Sequence, residues 1–185
     1  MRILGLSGSL RRGSHNTALL RAAAMTLPSG VELEVFDGLR DLPLYDEDLD
    51  VQPAPAPVAR LRDALREADG VLIATPEYNG SIPGGLKNAI DWASRPFPDN
   101  ALRGKPVAVV GASTGLFGAV WAQAETRKAL GIAGADVLDG EVPVGQAAMA
   151  FGPDGDLGDP DLSEALTTLV ATLAARAGAE EAQAA

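Results

Sequence analysis

The stretch Gly70-Val71-Leu72-Ile73-Ala74-Thr75-Pro76-Glu77-Tyr78-Asn79-Gly80-Ser81-Ile82-Pro83-Gly84-Gly85-Leu86-Lys87-Asn88-Ala89-Ile90-Asp91-Trp92-Ala93 decides the fold. It opens on an apolar run, Gly70 to Ala74, with the length and character of a parallel strand buried on both faces. Pro76, Pro83 and three glycines follow, which neither a helix interior nor a central strand tolerates. Beyond them Leu86, Ala89, Ile90 and Ala93 recur at helical spacing. The order is strand, rigid loop, helix. Loops at the carboxyl ends of buried strands are where open α/β sheets hold their ligands. Between Pro76 and Gly80 this loop carries a carboxylate, a ring and an amide (Glu77, Tyr78 and Asn79), a set suited to a planar ligand with several hydrogen-bonding groups.

The same alternation extends in both directions. Upstream, Ile3 to Leu6 is a short buried strand ending in Ser7-Gly8-Ser9, and a helix is predicted from about Asn16 to Met25. Val31, Leu33 and Val35 alternate with Glu32 and Glu34, the pattern of a strand at a sheet edge with one wet face. The acidic stretch Leu42 to Asp50 and the prolines 53, 55 and 57 read as a long surface loop. Neither side of it holds enough elements for a sheet of its own, so it is not a linker between domains. Val58, Leu61, Leu65 and Ala68 give a second helix.

Downstream, Val107 to Ala112 is another buried strand, closed by Ser113-Thr114-Gly115. A helix is predicted from about Phe117 to Leu130, a short strand at Asp136 to Leu138 extending toward Val142, and a loop over 147–159. Asp159-Pro160 is a helix start, a capping side chain followed by proline in the first turn. Leu162, Leu166, Leu169, Val170 and Leu173 form that helix's buried stripe. The repeated β-α order predicts one α/β domain over residues 1–176 with a doubly wound, largely parallel sheet, and an unanchored tail over 177–185.

Composition narrows the chemistry. There are no cysteines and one histidine, His15, in 185 residues. Disulfides, iron–sulfur clusters, thiolate metal sites and multi-histidine metal sites are therefore excluded, and no metal is expected. Any redox chemistry must come from a bound organic cofactor. The formal net charge of −10 disfavours nucleic acids and anionic membranes as partners. It leaves room for an anion at a helix start, where backbone N–H groups act locally. No apolar run reaches the length of a membrane span, and Met1 to Ser7 is too short for a secretory core. A cytoplasmic protein without membrane insertion is expected.

Three loops would meet at one edge of such a sheet. The first sets Ser9, Arg11, Ser14, Asn16 and Thr17 ahead of a helix N-terminus, which supplies the hydroxyls, cation and dipole that a phosphate requires. It matches neither Gly-x-x-x-x-Gly-Lys-Ser/Thr nor Gly-x-Gly-x-x-Gly, and Ser14 or Asn16 equally suits a plain helix cap. His15 reads as a rim residue, with no Ser–His–acid constellation around it. In the second loop Glu77 suits a general base or a loop brace, and Tyr78 a stacking or a core role. Trp92 on the following helix reads as packing against a neighbouring segment or a partner subunit. Ser113, Thr114 and Gly115 suit either a ligand-flanking loop or a tight turn.

Gly8-Ser9-Leu10-Arg11-Arg12-Gly13-Ser14-His15-Asn16 closely resembles the first motif of the NADPH-dependent FMN reductase family, a family of the flavodoxin-like superfamily whose members include chromate, quinone and azo-dye reductases. Pro76 to Gly84 with Leu86-Lys87-Asn88-Ala89-Ile90-Asp91-Trp92 is similar to the family's most specific signature. Leu42-Pro43-Leu44-Tyr45 and Gly111 to Gly118 are family-like too. The resemblance covers about the first 130 residues. It implies a flavodoxin-like three-layer sandwich whose five-stranded parallel sheet has the order 2-1-3-4-5, with FMN bound non-covalently.

By motif position, Ser9, Arg11, Ser14, Asn16 and Thr17 would hold the FMN phosphate. Pro76, Glu77, Tyr78, Asn79 and Gly80 would line the ribityl chain and ring edge, and Ser113, Thr114 and Gly115 would flank the ring. The resemblance further implies hydride transfer from NADPH or NADH through FMN to quinones, chromate, azo compounds or similar small acceptors, in a ping-pong scheme with no catalytic side chain of its own. It implies a homodimer, or a homotetramer built from dimers. Where relatives commonly read Gly-Gly-Ala-Arg after the third loop, this chain reads Gly118-Ala119-Val120-Trp121. The alternative within the fold is a flavodoxin-type electron carrier that oxidises NAD(P)H poorly. A flavin-free sensor would be expected to lack Arg11, Asn16 or Asn79-Gly80, and all are present.

Overall fold

The computed structural model of the chain describes residues 1–184. Its centre is a parallel sheet of order β2-β1-β3-β4-β5. The strands are β1 (Arg2–Ser7), β2 (Glu32–Val35), β3 (Gly70–Thr75), β4 (Pro106–Ala112) and β5 (Asp136–Val137). Five helices connect and cover them: α1 (His15–Met25), α2 (Ala56–Glu67), α3 (Gly84–Ala93), α4 (Val120–Ala133) and α5 (Pro160–Ala184). The expected flavodoxin-like sandwich and strand order are present.

Period-two alternation divides the core into two layers. Val71 and Ile73 of β3 join Leu4, Leu6, Val107 and Val109 beneath α2, α3 and α4. Leu72 and Ala74 turn the other way, with Ile3, Ala108 and Val110, beneath α1 and α5. β1, β3 and β4 are buried on both faces, as continuous apolar runs require. β2 lies at the sheet edge with Glu32 and Glu34 exposed, as its alternation predicts.

Three details differ from the sequence reading. The expected fifth strand is divided: β5 pairs with Pro106 and Val107 at the start of β4, while β6 (Pro143–Val144) pairs with Gly111 and Ala112 at its end. Asp139-Gly140 interrupts the ladder between them, with Gly140 at φ +131°. α4 starts at Val120 instead of near Phe117, because Gly118 and Ala119 are left-handed, at φ +58° and +62°. Finally, α5 continues through residues 177–184, expected to be unanchored. The apolar stripe of Leu173 and Ala174 carries on to Ala177, which is buried; Ala185 lies outside the described residues. Asp159 caps this helix as its position predicts, its Oδ1 accepting from the Asp161 and Leu162 N–H groups.

The acidic stretch 42–50 is a loop with one 3-10 turn (Glu47–Leu49), and it is clasped from α3. Asn88 Nδ2 and Trp92 Nε1 both donate to the Pro43 carbonyl, each at 2.8 Å. Asn88 Oδ1 accepts from the Tyr45 N–H at 2.8 Å, and the Tyr45 ring meets Trp92 edge-on. Buried Arg62 binds Asp50 at 2.8 Å and donates to the Trp92 carbonyl. Trp92 is fully buried, so its role is packing within the chain. Asn88 and Trp92 lie one helical turn apart on one face of α3, which is why a single carbonyl can receive both. Among the described residues no helix is long and apolar enough to cross a membrane.

Candidate functional site

The loops after β1, β3 and β4 meet above the sheet's carboxyl edge. They enclose a cleft of ≈ 400 Å³ lined by Ser9, Arg11, His15, Asn16, Pro76, Glu77, Tyr78, Ala112, Ser113 and Thr114. That volume lies within the usual range of about 300–1,000 Å³ for small-molecule sites. A larger groove of ≈ 640 Å³ runs along β2 and α2. Its charged groups pair with one another, Arg2 with Glu34 and Glu67, and Arg60 with Asp37. The three-loop cleft has the opposite character.

At the first loop, Ser14 caps α1: its Oγ accepts from the Thr17 N–H at 3.1 Å. Thr17 Oγ1 in turn donates to Ser7 Oγ at 2.9 Å. Asn16 is 2 % exposed and holds Ala112 at both ends, Nδ2 donating to its carbonyl and Oδ1 accepting from its N–H, each at 2.9 Å. The asparagine therefore locks α1 to the end of β4. Arg11 is exposed at the cleft and, among the described residues, has no carboxylate within ion-pairing distance. It stands beside the start of α1, whose first N–H groups have no intrahelical acceptors. His15 stacks on Phe151 from the 147–159 segment, ring centroids 6.3 Å apart, and burial followed by the Arg11 charge pushes its pKa down.

The second loop is a short hairpin. The N–H and carbonyl of Tyr78 exchange hydrogen bonds with those of Ser81, both 3.2 Å, and Asn79 and Gly80 turn at φ +54° and +72°. Asn-Gly is the dipeptide favoured in such a turn. Glu77 braces the loop: its Oε2 accepts from the Ala122 N–H at 3.1 Å and so caps α4, whose own cap position, Ala119, offers no side-chain acceptor. A carboxylate at a helix N-terminus also meets the favourable end of the dipole. Tyr78 is 52 % exposed, its ring open for stacking.

The third loop is tied down from behind. The carbonyls of Ser113 and Gly115 accept from Ala147 and Gln146, and Ser113 Oγ accepts from the Gly115 N–H. Gly118 must be glycine twice over: it is left-handed, and a Cβ there would lie 2.2 Å from the Pro143 carbonyl carbon. Buried Gln123 joins this loop to β6, donating to the Gly118 carbonyl and accepting from the Val142 N–H.

Of the residues singled out from the sequence, Ser9, Arg11, Asn16, Pro76, Glu77, Tyr78, Ser113 and Thr114 line one cleft. Ser14 lies beneath it as the cap, and Thr17 faces a neighbouring cavity. Asn79, Gly80 and Gly115 form exposed turn tips outside the lining. Sequence reasoning missed Ser7, Ala112 and Gln123. Ser7 and Ala112 read as strand ends, whereas a glutamine on the inner face of α4 was a legible signal for a buried polar contact. The cleft fits FMN. Its lining holds what that group requires: the Arg11 guanidinium and the start of α1 suit a phosphate, and the exposed Tyr78 ring and small Ser113 and Thr114 suit a flat ring.

Fold and cleft together define a flavodoxin-like α/β protein with a three-loop cleft at the topological switch of its sheet. Residues 1–149 match the NADPH-dependent FMN reductase family. The chain belongs to that family, and is an oxidoreductase with FMN as cofactor. It is 45% identical over 165 residues to an NAD(P)H-dependent FMN reductase of Pseudomonas aeruginosa, covering 89% of this chain and 88% of that one. It is 44% identical over 131 residues to a quinone reductase of Escherichia coli K12, covering 70% and 69%. Among solved structures it resembles the FerB flavoenzyme NAD(P)H:(acceptor) oxidoreductase of Paracoccus denitrificans, with a TM-score of 0.80, 36% identity, and coverage of 96% and 95%.

Proposed function

We propose that the chain is an NAD(P)H:quinone oxidoreductase of the cytoplasm that uses its three-loop cleft for donor and acceptor in turn. Chromate and azo compounds are further acceptors of the same kind. The observation that carries this reading is the convergence of three loops on one cleft lined by Arg11, which has no carboxylate partner among the described residues. The names of relatives support the acceptor class: quinone reductases, and a 2-hydroxy-1,4-benzoquinone reductase of Burkholderia that is 43% identical over 127 residues.

When bound, FMN supplies the two-electron exchange with nicotinamide and acceptor. The chain's residues do the rest. Arg11, Ser9 and the start of α1 would hold the phosphate. Ser14, Asn16 and Thr17 keep that loop and helix in place through the contacts described above. Pro76 to Gly80 and Ser113 to Gly115 would set the ribityl chain and ring edge, using backbone N–H groups aimed where charge develops. No side chain need act as nucleophile. Leu116, Phe117 and Trp121 are exposed together beside the third loop, and an apolar cluster of this kind supports pairing with a second copy as a homodimer or a dimer of dimers.

The test is anaerobic. FMN-loaded protein, freed of excess flavin, should lose its visible flavin absorbance on NADPH addition and regain it with benzoquinone. Flavin that stays bound and oxidised would instead indicate a flavodoxin-type carrier. Initial rates at varied donor and quinone should give parallel double-reciprocal lines; intersecting lines would contradict alternating use of one cleft.

A further inference from the structure

His15 is the one histidine of the chain, and so the one side chain whose ordinary pKa falls between about pH 5 and 8. It opens α1 and lines the three-loop cleft together with Ser9, Arg11 and Asn16. Ser14, Asn16 and Thr17, its neighbours, are engaged in holding the loop and helix in place. His15 is not. Among the described residues neither of its ring nitrogens has a hydrogen-bond partner, and no carboxylate lies within ion-pairing distance.

The ring is nevertheless held. It stacks on Phe151 with 6° between the planes and 6.3 Å between centroids, inside the range of about 4.5–7 Å for aromatic pairs. Phe151 belongs to a short hairpin, bridged to buried Leu157 and closed by the Gly152 and Gly158 N–H groups donating to the Asp156 and Ala150 carbonyls. Just ahead of it, Gln146 and Ala147 donate to the Gly115 and Ser113 carbonyls of the third loop. The hairpin is thus anchored on the third loop and braces a ring on the first. Phe151 also lies beyond the residues 1–149 that match the family.

The charges around His15 decide what its free nitrogens suit. Burial first and Arg11 second disfavour the protonated ring. Glu77, which lines the same cleft from the second loop, is engaged by the Ala122 N–H. Asp154, Asp156 and Asp159 share the segment of Phe151; none is within ion-pairing distance of the imidazole, and Asp159 caps α5. The surroundings are therefore positive, from Arg11 and the start of α1. An anion placed there reverses the balance, because an opposite charge within about 4–6 Å favours the protonated imidazole.

We propose that His15 is a second ligand of the FMN phosphate beside Arg11, that it takes up a proton as the phosphate binds, and that Phe151 is the positioning residue that holds its ring. The proton comes from solvent and goes to the free ring nitrogen. The imidazolium then donates to a phosphate oxygen in a charge-assisted contact. The inference rests on the reading that places the phosphate at the first loop.

Calorimetric titrations of the apoprotein with FMN and with riboflavin, at two pH values, read the proton and the phosphate separately. His15→Phe, which keeps a ring against Phe151, should lose about tenfold in FMN affinity at pH about 6 and less than about twofold at pH about 8, with riboflavin unchanged at both. The phosphate's own ionisation enters both proteins alike and cancels between them. His15→Gln, a helix-compatible exchange, should show the same pH dependence. In buffers of different ionisation enthalpy at pH about 7, FMN should carry about half a proton more into the unaltered protein than into His15→Phe. Phe151→Ala, which leaves the ring to be ordered on binding, should lower FMN affinity about threefold at pH about 6, and Phe151→Tyr should restore it.

A loss shared equally by FMN and riboflavin, or the same at both pH values, overturns the proposal. Equal proton uptake by the unaltered protein and His15→Phe overturns it as well, and Phe151→Ala with unchanged FMN affinity removes the positioning role. Equal affinity of the unaltered protein for the two flavins sinks the phosphate placement and this inference with it. A preference for FMN with no pH-dependent share from His15 sinks this inference alone.

Discussion

Two polar clusters on this fold use their hydrogen-bonding groups in opposite ways. In the clasp on α3, Asn88, Trp92 and Arg62 bind Pro43, Tyr45 and Asp50, and the cluster faces inward. In the first loop, Asn16, Ser14 and Thr17 are similarly engaged, but Arg11 next to them is not. Both clusters belong to stretches that resemble family motifs. A motif therefore mixes frame residues with ligand residues, and what separates them is whether their polar capacity is satisfied within the chain. Satisfied groups should govern stability, and open ones binding.

That contrast can be broken by substitution. Trp92→Ala should destabilise the FMN-free protein most, by about 3–5 kcal/mol in urea unfolding, because a fully buried indole leaves a cavity. If FMN affinity fell by more than stability did, the clasp would be part of the site after all. Asn16→Ala should come next. It strands the N–H and carbonyl of Ala112, at about 1–3 kcal/mol for each buried unsatisfied group. Arg11→Ala should leave apoprotein stability within about 0.5 kcal/mol, as exposed substitutions do. Its FMN dissociation constant should rise about 10–100-fold, the equivalent of a charge-assisted contact of about 1.5–3 kcal/mol.

Glu77→Gln should cost about 0.3–1 kcal/mol of stability through the weakened cap on α4. The smallest effect belongs to His15. Its folded pKa is lowered, by burial first and Arg11 second, so the unfolded chain binds more protons just below the ordinary histidine value of about 6.5. Its contribution to stability should therefore be complete above that pH and decline as pH falls through it. His15→Gln should flatten this part of the profile when urea midpoints at pH about 7.5 and 5.5 are compared; an unchanged slope would remove the assignment.

Much of this was legible in the sequence because strong periodicities left few choices. The apolar runs of β1, β3 and β4, and the breaks after each, predict both the sheet and the three loops that meet above it. Less legible were features decided by backbone sign or by partners distant in sequence. Gly118-Ala119 delays α4 through left-handed dihedrals that no apolar pattern encodes. The division of the last strand turns on Asp139-Gly140, which separates two short pairings with the two ends of β4. The roles of Asn16 and Glu77 follow from partners 96 and 45 residues away. A spacing argument places such side chains near a site without revealing which way they are engaged.

The most direct measurement compares FMN with riboflavin, the same ring and ribityl chain without the phosphate, in calorimetric titrations of the apoprotein and its Arg11→Ala variant. A cleft whose open end reads phosphate binds FMN at least tenfold tighter than riboflavin, and Arg11→Ala collapses most of that difference. Equal affinity for the two flavins in the unaltered protein would contradict the placement of the phosphate at Arg11 and the start of α1.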